Sequence, residues 1–460
     1  MILEKNIAEK VLTEAVKTGG DFAELFIEET KSQTIEHSKK EISNVSNNII
    51  YGAGIRILKD NDEVYGYTND LSLNSLLNLV YKLRDHFKNP LNINFKLKEK
   101  KIPNINEIKK NYMYNQDKVN LLDKVSNYAY AYDDKIYQVI VKLIDKDQHI
   151  EIYNTEGLLA TDYRKWIRLY LTCVAKDGNN IQQGSSSLGG NIGFELFDNF
   201  DFKNFANEAS KQALNMLKAV DIKPGVYPVV LHNGFGGVIL HEAIGHSLEA
   251  TSVATGLSVM TNLKGKRIAS ELVTAIDDGT MKNEWGSLNI DDEGTPTTRN
   301  VLIKDGILNN YMIDKKNDRK MKQGITGCGR RQSYKYSPTS RMTNTYILPG
   351  KSSFEDIIKN TKFGLFAKSL GGGSVNPTTG EYNFAVNEGY MIEDGKITYP
   401  VKGATLVGQG KETLLNVDMV GNNLELSNGM CGSVSGSIEV NVGQPTIRVA
   451  KITVGGKGDK

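Results

Sequence analysis

The sequence predicts an α+β fold, with an N-terminal α/β layered domain of helices on a mixed or antiparallel sheet and a mostly-β C-terminal domain. Helical and alternating segments both occur in the first half, whereas the second half consists mainly of short alternating runs separated by turns. Of the 44 glycines, residues 1–224 contain 11 and residues 225–460 contain 33. Glycine is favoured where the backbone turns tightly or approaches another segment. We therefore predict two domains, residues 1–222 and 223–460.

The first elements of the chain predict a helix, several strands and a second helix. Apolar residues recur at helical spacing from Ile2 to Ala15, and Gly19–Gly20 ends that helix. Helical periodicity returns at 71–87, before Asn89–Pro90. Alternation and β-branched residues predict strands between the two helices. These strands are expected at 21–29, 33–37, 48–58 and 64–68.

A second set of elements follows in the same order. Helices are predicted at 117–131 and 201–218, with strands between them near 136–145, 149–154 and 164–176. The lysine- and asparagine-rich stretch 91–116 separates the two sets and is predicted as a linker or a surface excursion, with a subdivision of the first domain there as one hypothesis. An internal duplication is one hypothesis for this order, and a larger α/β layer is the other.

The C-terminal domain is predicted to begin after a Pro-Gly turn within 222–231. Asp305–Gly306 and Asp394–Gly395 each lie within apolar alternation, which is a strong hairpin signal. Most of this domain is therefore expected to be β-structure, with one helix within 234–250.

Composition excludes several classes of protein. Lys+Arg total 56 and Asp+Glu total 54, so the net charge of +2 argues against a nucleic-acid partner. No apolar run approaches the roughly 18 residues that span a membrane. Three cysteines are too few and too odd in number for a disulfide framework, and the N-terminal helix does not read as a signal peptide. We expect a cytoplasmic protein.

The strongest functional signal is GFGGVILHEAIGHSLEA (234–250). His241, Glu242 and His246 form the pattern His-Glu-x-x-x-His, one residue longer than the zinc-peptidase helix His-Glu-x-x-His. Residues five apart point about 140° apart on an ideal α-helix, so both imidazoles reach one metal only if the helix is distorted. A π-turn would bring them together, and Gly245 would ease that distortion.

A catalytic zinc usually has three protein ligands and an open position for water. The candidates for the third ligand are Cys328, Cys431, His232 and nearby carboxylates such as Glu249. Cys328 and Cys431 both lie in glycine-rich segments, and spacing does not choose between them. Cys173 lies in an apolar strand and is interpreted as a buried structural thiol.

The chain resembles the TldD/PmbA family of peptidases, and specifically its metal-bearing TldD-like branch. The resemblance spans essentially all of 225–460 and is weaker over 1–224. The segments that carry it are 228–250, ASELVTAIDDGT (269–280), DDEGTPT (291–297), 301–315, GCGRRQSY (327–334), 341–350, 390–410 and 429–456.

The resemblance implies a role for each matching position. His241, His246 and Cys431 would be the ligands of one divalent metal per chain, zinc or alternatively iron(II). Glu242 would be the general base and acid. Cys328 falls at a position that the family does not use as a ligand. The family's fold and activity imply a metallopeptidase that cleaves short or unfolded peptides inside a chamber between two subunits.

The partner subunit would be a second copy or a related metal-free family member. Arg330, Arg331 and Tyr334 are candidates for substrate contact, with salt bridges as the alternative for the arginines. Two other functions remain open: a non-catalytic binding or maturation subunit with a structural metal, and a metal-dependent amidohydrolase acting on small molecules.

Overall fold

The computed structural model describes residues 2–90, 93–376 and 378–456. In the N-terminal part the helices are α1 (Lys5–Val16), α2 (Leu73–Arg84), α3 (Asn115–Tyr130) and α4 (Phe202–Leu217). The strands there are β1 (Phe22–Ser38), β2 (Glu41–Lys59), β3 (Asp62–Thr68), β4 (Lys98–Glu99), β5 (Ile136–Asn154), β6 (Leu158–Asp177) and β7 (Asn180–Asn191).

These strands form one sheet in the order β3-β2-β1-β5-β6-β7. All of its long pairs are antiparallel, and the two-residue β4 adds to β6 in parallel. The set α1, β1–β3, α2 is followed by the set α3, β5–β7, α4, and the two sets meet where β1 pairs with β5. The order of elements that the sequence predicts therefore occurs twice in one sheet.

The central strands are longer than the sequence patterns indicate. β5 is continuous over 19 residues, although its alternation breaks in the middle. Val139, Val141 and Leu143 pack under α3 and α4, whereas Ile150 and Ile152 pack on the opposite face. Because the buried face switches along one strand, a period-2 pattern cannot continue through it.

The C-terminal part is mostly β-structure, as predicted. Its strands are β8 (Val220–Asp221), β9 (Gly225–Leu231), β10 (Ala275–Asp278), β11 (Arg299–Lys304), β12 (Ile307–Leu308), β13 (Gly329–Arg330), β14 (Thr339–Ser340), β15 (Asn344–Ile347), β16 (Phe363–Val375), β17 (Glu381–Glu393), β18 (Lys396–Lys402), β19 (Thr405–Gln409), β20 (Val417–Val420), β21 (Glu425–Ser433), β22 (Gly436–Gln444) and β23 (Ile447–Gly455). Its helices are α5 (Val238–Leu240), α6 (Ala250–Val253), α7 (Lys315–Met321), α8 (Phe354–Lys359) and α9 (Gly410–Leu415).

Two sheets dominate this part. One has the order β12-β11-β10-β15-β22-β21, and the other the order β16-β9-β23-β19-β17-β18-β8 with β20 beside β23. Both predicted Asp-Gly hairpins are confirmed, one between β11 and β12 and one between β17 and β18. Asp305, Gly306, Asp394 and Gly395 all have positive φ, as a type I′ turn requires. The helical segment 238–248 packs in the core that these sheets share.

A network of buried charges joins the N-terminal sheet to the C-terminal part. Arg331 pairs with Glu24, Arg56 with Glu24 and Glu293, and Arg164 with Asp162 and Asp292. We call these seven residues the buried ion network. The C-terminal members of this network come from the segments DDEGTPT and GCGRRQSY. Through these ion pairs both segments bind the N-terminal sheet to the C-terminal part, which contains His241 and His246.

No helix in the described ranges is both long enough and apolar enough to cross a membrane.

Candidate metal centre

The helical geometry changes at His241. The short α5 leads into a π-helical turn at His241–Gly245, which is followed by a 3-10 turn at His246–Leu248. The amide of His246 donates to the carbonyl of His241, which is an i→i+5 hydrogen bond. The predicted π-turn is confirmed, and it resolves the angular conflict that the His-Glu-x-x-x-His spacing creates.

Gly245 has a packing reason rather than the predicted conformational one. Its φ of −53° and ψ of −54° are helical values that any residue adopts. A Cβ at this position would lie 2.2 Å from the Sδ of Met342. Glycine at this position therefore leaves room for the Met342 side chain, and its helical backbone angles do not require the conformational freedom that the sequence suggested.

The two histidines and Cys431 meet at one point. The Nε2 of His241 lies 3.2 Å from the Sγ of Cys431, and the Nε2 of His246 lies 3.3 Å from the same sulfur. The three ligand atoms all lie within 4.8 Å of one another. We call these residues the His/Cys cluster. The π-turn supplies the two imidazoles, while the thiol comes from β21, the edge strand of its sheet.

The charge state of Cys431 suits a metal ligand. Burial alone would raise the pKa of this thiol, but the neighbouring imidazoles of His241 and His246 lower the pKa to about 3. Burial would lower the pKa of His246, yet Glu249 and Cys431 hold that pKa well above its usual value. The thiolate is the form of cysteine that binds metals, so the cluster presents it already deprotonated.

Glu242 faces a pocket beside the cluster. Its side chain is 27% exposed, and its Oε2 lies 3.7 Å from the Nε2 of His246. The pocket has a volume of about 330 Å³. Its lining comprises Glu242, His246, Glu249, Ser252, Ser374, Val375, Gly432 and Ser433. A Cβ on Gly432 would meet nothing within 4 Å, so the space beside this neighbour of Cys431 is open.

The other candidates for the third ligand lie elsewhere. Cys328 is buried and accepts a hydrogen bond from Thr326 at 3.2 Å, and burial together with nearby carboxylates raises its pKa well above the usual value. His232 packs edge-on against Phe354 and Phe366. Neither joins the His/Cys cluster found among the described residues.

Glu249 contacts the His246 ring on the edge that faces away from Cys431. Its Oε2 lies 3.1 Å from the Nδ1 of His246, on the ring edge opposite to the one that faces Cys431. Cys173 is fully buried in β6, in agreement with its interpretation as a structural thiol.

The three residues named for substrate contact do not line this pocket. Arg331 is fully buried in the ion network, and Arg330 is buried with its Nη1 donating to the carbonyl of Met342. Burial lowers the pKa of Arg330 to about 10. Tyr334 packs edge-to-face on Tyr67, and its amide donates to Glu28 of the N-terminal sheet. The alternative interpretation of Arg331 as a salt-bridge residue matches this geometry.

Sequence reasoning missed Arg341, which is fully buried and donates to the carbonyl of Cys431. No local pattern marks it, because its partners lie about 90 residues away along the chain. Glu249 carried a signal, since it lies three residues after His246 and faces the same side of a helical turn.

Family models match most of the chain. They are described as PmbA/TldA metallopeptidase domain 1 over residues 23–83, the central domain over 109–217 and the C-terminal domain over 224–456. The chain belongs to the PmbA/TldD family. The C-terminal match includes the whole His/Cys cluster and Glu242.

Curated relatives within the PmbA/TldD family align along most of their length. A metalloprotease TldD homolog of Haemophilus influenzae is 38% identical, with 95% of this chain and 93% of the relative covered. One of Buchnera aphidicola is also 38% identical, covering 88% and 86%. A protein named zinc metalloprotease TldD homolog from Saccharolobus solfataricus is 29% identical, covering 97% and 99%.

Solved structures share the fold of this chain. A Thermotoga maritima protein superposes with a TM-score of 0.81 at 20% identity, covering 98% of this chain and 99% of the other. TldE from Thermococcus kodakarensis superposes with a TM-score of 0.77, also at 20% identity, with 98% of each chain covered. These matches support the α+β architecture described above.

Proposed function

We propose that the chain is a metal-dependent peptidase that hydrolyses short or unfolded peptides with low sequence specificity. The observation that carries the proposal is the convergence of three metal-type donors beside a glutamate that faces an open pocket. The names of the curated relatives support the same reaction class, and one of them specifies zinc.

The residues fit a single divalent ion. With Zn–N of about 2.0–2.1 Å and Zn–S of about 2.3 Å, a nitrogen and the sulfur of a tetrahedral site lie roughly 3.5–3.6 Å apart, so the donors need to move by only a few tenths of an ångström. The distances from the Cys431 sulfur to the two Nε2 atoms are 3.2 and 3.3 Å. We propose His241, His246 and Cys431 as the ligands of one zinc, with iron(II) as the alternative. Three protein ligands leave a fourth position for water.

When bound, the metal would supply a Lewis acid that lowers the pKa of a water to about 7 and polarises a carbonyl. Glu242 accepts the proton of the attacking water at its pocket-facing carboxylate and then donates it to the leaving amine. This role needs a carboxylate that reaches the pocket, and Glu242 is partly exposed there. A purely structural metal site needs no such group, so the position of Glu242 favours catalysis over a structural role.

The pocket also suits an extended peptide. Gly432 and Ser433, at the end of the edge strand β21, line the pocket together with Ser374 and Val375 of β16. A peptide that adds to a sheet edge is bound through its main chain, so side-chain identity contributes little to affinity. Backbone recognition of this kind explains low sequence specificity and excludes folded substrates, whose main chain is already hydrogen-bonded.

The test is to measure metal content and peptide hydrolysis for the wild type and Glu242→Gln. We expect one metal per chain in both proteins and a kcat about 10²–10⁴-fold lower in the variant. A series of peptides of increasing length distinguishes a peptidase from an amidohydrolase that accepts only small molecules. Full activity in metal-loaded Glu242→Gln would remove Glu242 as the base, and cleavage by wild-type protein freed of metal would contradict the mechanism.

We further propose that the functional unit contains two chains, either identical or one related and metal-free. Supporting this, residues 41–52 of β2 have no strand on their outer side within the described chain, since β3 pairs only from Ala53 onward. This edge carries exposed Val45 and Ile49, and long exposed apolar edges favour pairing with another chain.

Sedimentation analysis tests the two-chain proposal. Ile49→Lys is expected to weaken self-association, and the matched control is Tyr137→Lys, which changes an exposed apolar residue on another strand. A wild-type chain that stays monomeric alone but binds a metal-free family member supports the mixed pair. A stable dimer in Ile49→Lys that matches the wild type would exclude this edge as the interface.

A further inference from the structure

A buried carboxylate holds the outer edge of the His246 ring. The Oε2 of Glu249 lies 3.1 Å from Nδ1 of His246, while Nε2 of the same ring lies 3.3 Å from the sulfur of Cys431. Glu249 is 5% exposed, so water competes little for its oxygens. The two nitrogens of His246 therefore have different partners, and only one of them points into the His/Cys cluster.

A fully buried arginine lies behind that carboxylate. The Nε of Arg341 is 3.8 Å from Oε1 of Glu249. Its Nη2 donates to the carbonyl of Cys431, and its Nη1 donates at 2.9 Å both to Ser435 and to the carbonyl of Gly436. The guanidinium of Arg341 thus contacts the Glu249 carboxylate and the backbone of Cys431. It also contacts the turn that joins β21 to β22.

We propose that Glu249 and Arg341 are positioning residues for the metal centre. Glu249 accepts a hydrogen bond from the Nδ1–H of His246, so Nε2 is the ring nitrogen that is directed into the cluster and free to bind a metal. Arg341 is hydrogen-bonded to the Cys431 carbonyl and forms a 3.8 Å ion pair with Glu249 that includes no hydrogen bond, so its charge lies between the supports of the thiol donor and the imidazole donor. The inference rests on the proposed function because it takes His246 and Cys431 as ligands.

Two observations separate this role from a ligand role for Glu249. Its carboxylate approaches the ring edge that faces away from the sulfur, and it is not part of the group whose donor atoms converge. The second histidine also differs, because Nδ1 of His241 is buried without a hydrogen-bond partner among the described residues. His241 is oriented by the packed π-turn, whereas His246 depends on Glu249.

The experiment measures zinc affinity by competition with a chromophoric chelator, together with the absorption spectrum of the Co²⁺-loaded protein. Removing the hydrogen-bond partner of a metal-bound histidine typically weakens metal binding about 10–100-fold. We expect Glu249→Leu to fall at the high end of that range, with a shifted Co²⁺ spectrum. Glu249→Gln keeps an oxygen that accepts from Nδ1 and should recover most of the lost affinity.

The matched control is Glu388→Gln, which changes a buried carboxylate that pairs with Lys368 and Tyr390 away from the cluster. It should leave zinc affinity and the Co²⁺ spectrum unchanged. If Glu249→Leu does not fold, Glu249→Met, which also lacks an oxygen that accepts from Nδ1, takes its place with the same expected loss of affinity. Wild-type zinc affinity and a wild-type Co²⁺ spectrum in a folded variant without that oxygen would overturn the proposal.

The same measurements separate this inference from the proposed function. A wild-type chain that binds zinc but cleaves no peptide refutes the peptidase proposal, while the effect of Glu249 on affinity still tests the positioning role. A peptidase whose zinc affinity is indifferent to Glu249 refutes only the positioning role.

Discussion

Two buried polar regions of this chain differ in how their charges are used. In the buried ion network, Arg56 and Arg331 share Glu24, and Arg164 contacts Asp162 and Asp292, so the charges neutralise one another within the protein. In the His/Cys cluster, three donor atoms of metal-binding type lie within 4.8 Å of one another. Motifs typical of one family therefore differ in use: one set joins two parts of the protein, and the other is the set that we propose as a metal site.

The substitution with the largest expected effect removes one donor of the His/Cys cluster. Cys431→Ser removes the thiolate and should abolish stoichiometric metal binding and peptide hydrolysis together, because two imidazoles alone form a weak site. Elemental analysis of the purified variant checks this. The matched control is Cys328→Ser, a second buried thiol outside the cluster, which should keep its metal. The opposite result in the two variants would assign the third ligand to Cys328.

The next largest effect is on stability, and it follows from removing one arginine of the buried ion network. Arg331→Met leaves part of the Glu24 charge buried without its partner and should lower the free energy of unfolding by about 3–5 kcal/mol. Metal per folded chain should stay unchanged, because Arg331 does not touch the cluster. Chemical denaturation with elemental analysis measures both quantities. Lys135→Met, which breaks the exposed pair with Asp177, should leave the unfolding midpoint almost unchanged. Metal loss in folded Arg331→Met would show that the two regions are coupled.

The smallest effect concerns His232, which belongs to neither region. Burial, assisted by the charge of Lys368, lowers its pKa to about 4. Above pH 6.5 the ring is neutral in both states, and as the pH falls toward 4 only the unfolded chain takes up the proton. Because of His232, the free energy of unfolding should therefore fall by at most about 3 kcal/mol as the pH is lowered from 6.5 to 4.

Denaturation curves of His232→Asn and the wild type across that pH range test this assignment. The variant should lose less stability on acidification than the wild type, whereas the exposed His86→Gln should follow the wild type. Parallel pH profiles for His232→Asn and the wild type would contradict a neutral buried ring.

The sequence predicts local features of this molecule better than distant ones. The spacing of His241 and His246 predicts a distorted helix only if both bind one metal, and the π-turn agrees with that condition because the angular conflict lies within one helical segment. Likewise, Asp305–Gly306 predicts its hairpin from two neighbouring residues with positive φ. By contrast, spacing alone left Cys328 and Cys431 as equal candidates, since sheet pairing decides which thiol reaches the histidines.

The burial of Arg331 shows the same limit. Its partner Glu24 lies 307 residues earlier in the chain, on the first strand of the N-terminal sheet. From the local sequence alone, two arginines in a glycine-rich segment suggest an exposed site. Their burial follows only from the contact of this segment with the N-terminal sheet. Tyr334 is similar, because Tyr67 and Glu28, which surround it, come from that same sheet.

The most direct test is to locate the metal in crystals of the purified protein by anomalous diffraction at the zinc and iron absorption edges. We predict one strong peak per chain, at about 2.0–2.1 Å from Nε2 of His241 and of His246 and about 2.3 Å from Sγ of Cys431. A peak ligated by other residues, or fully active crystals with no peak at the His/Cys cluster, would contradict the account.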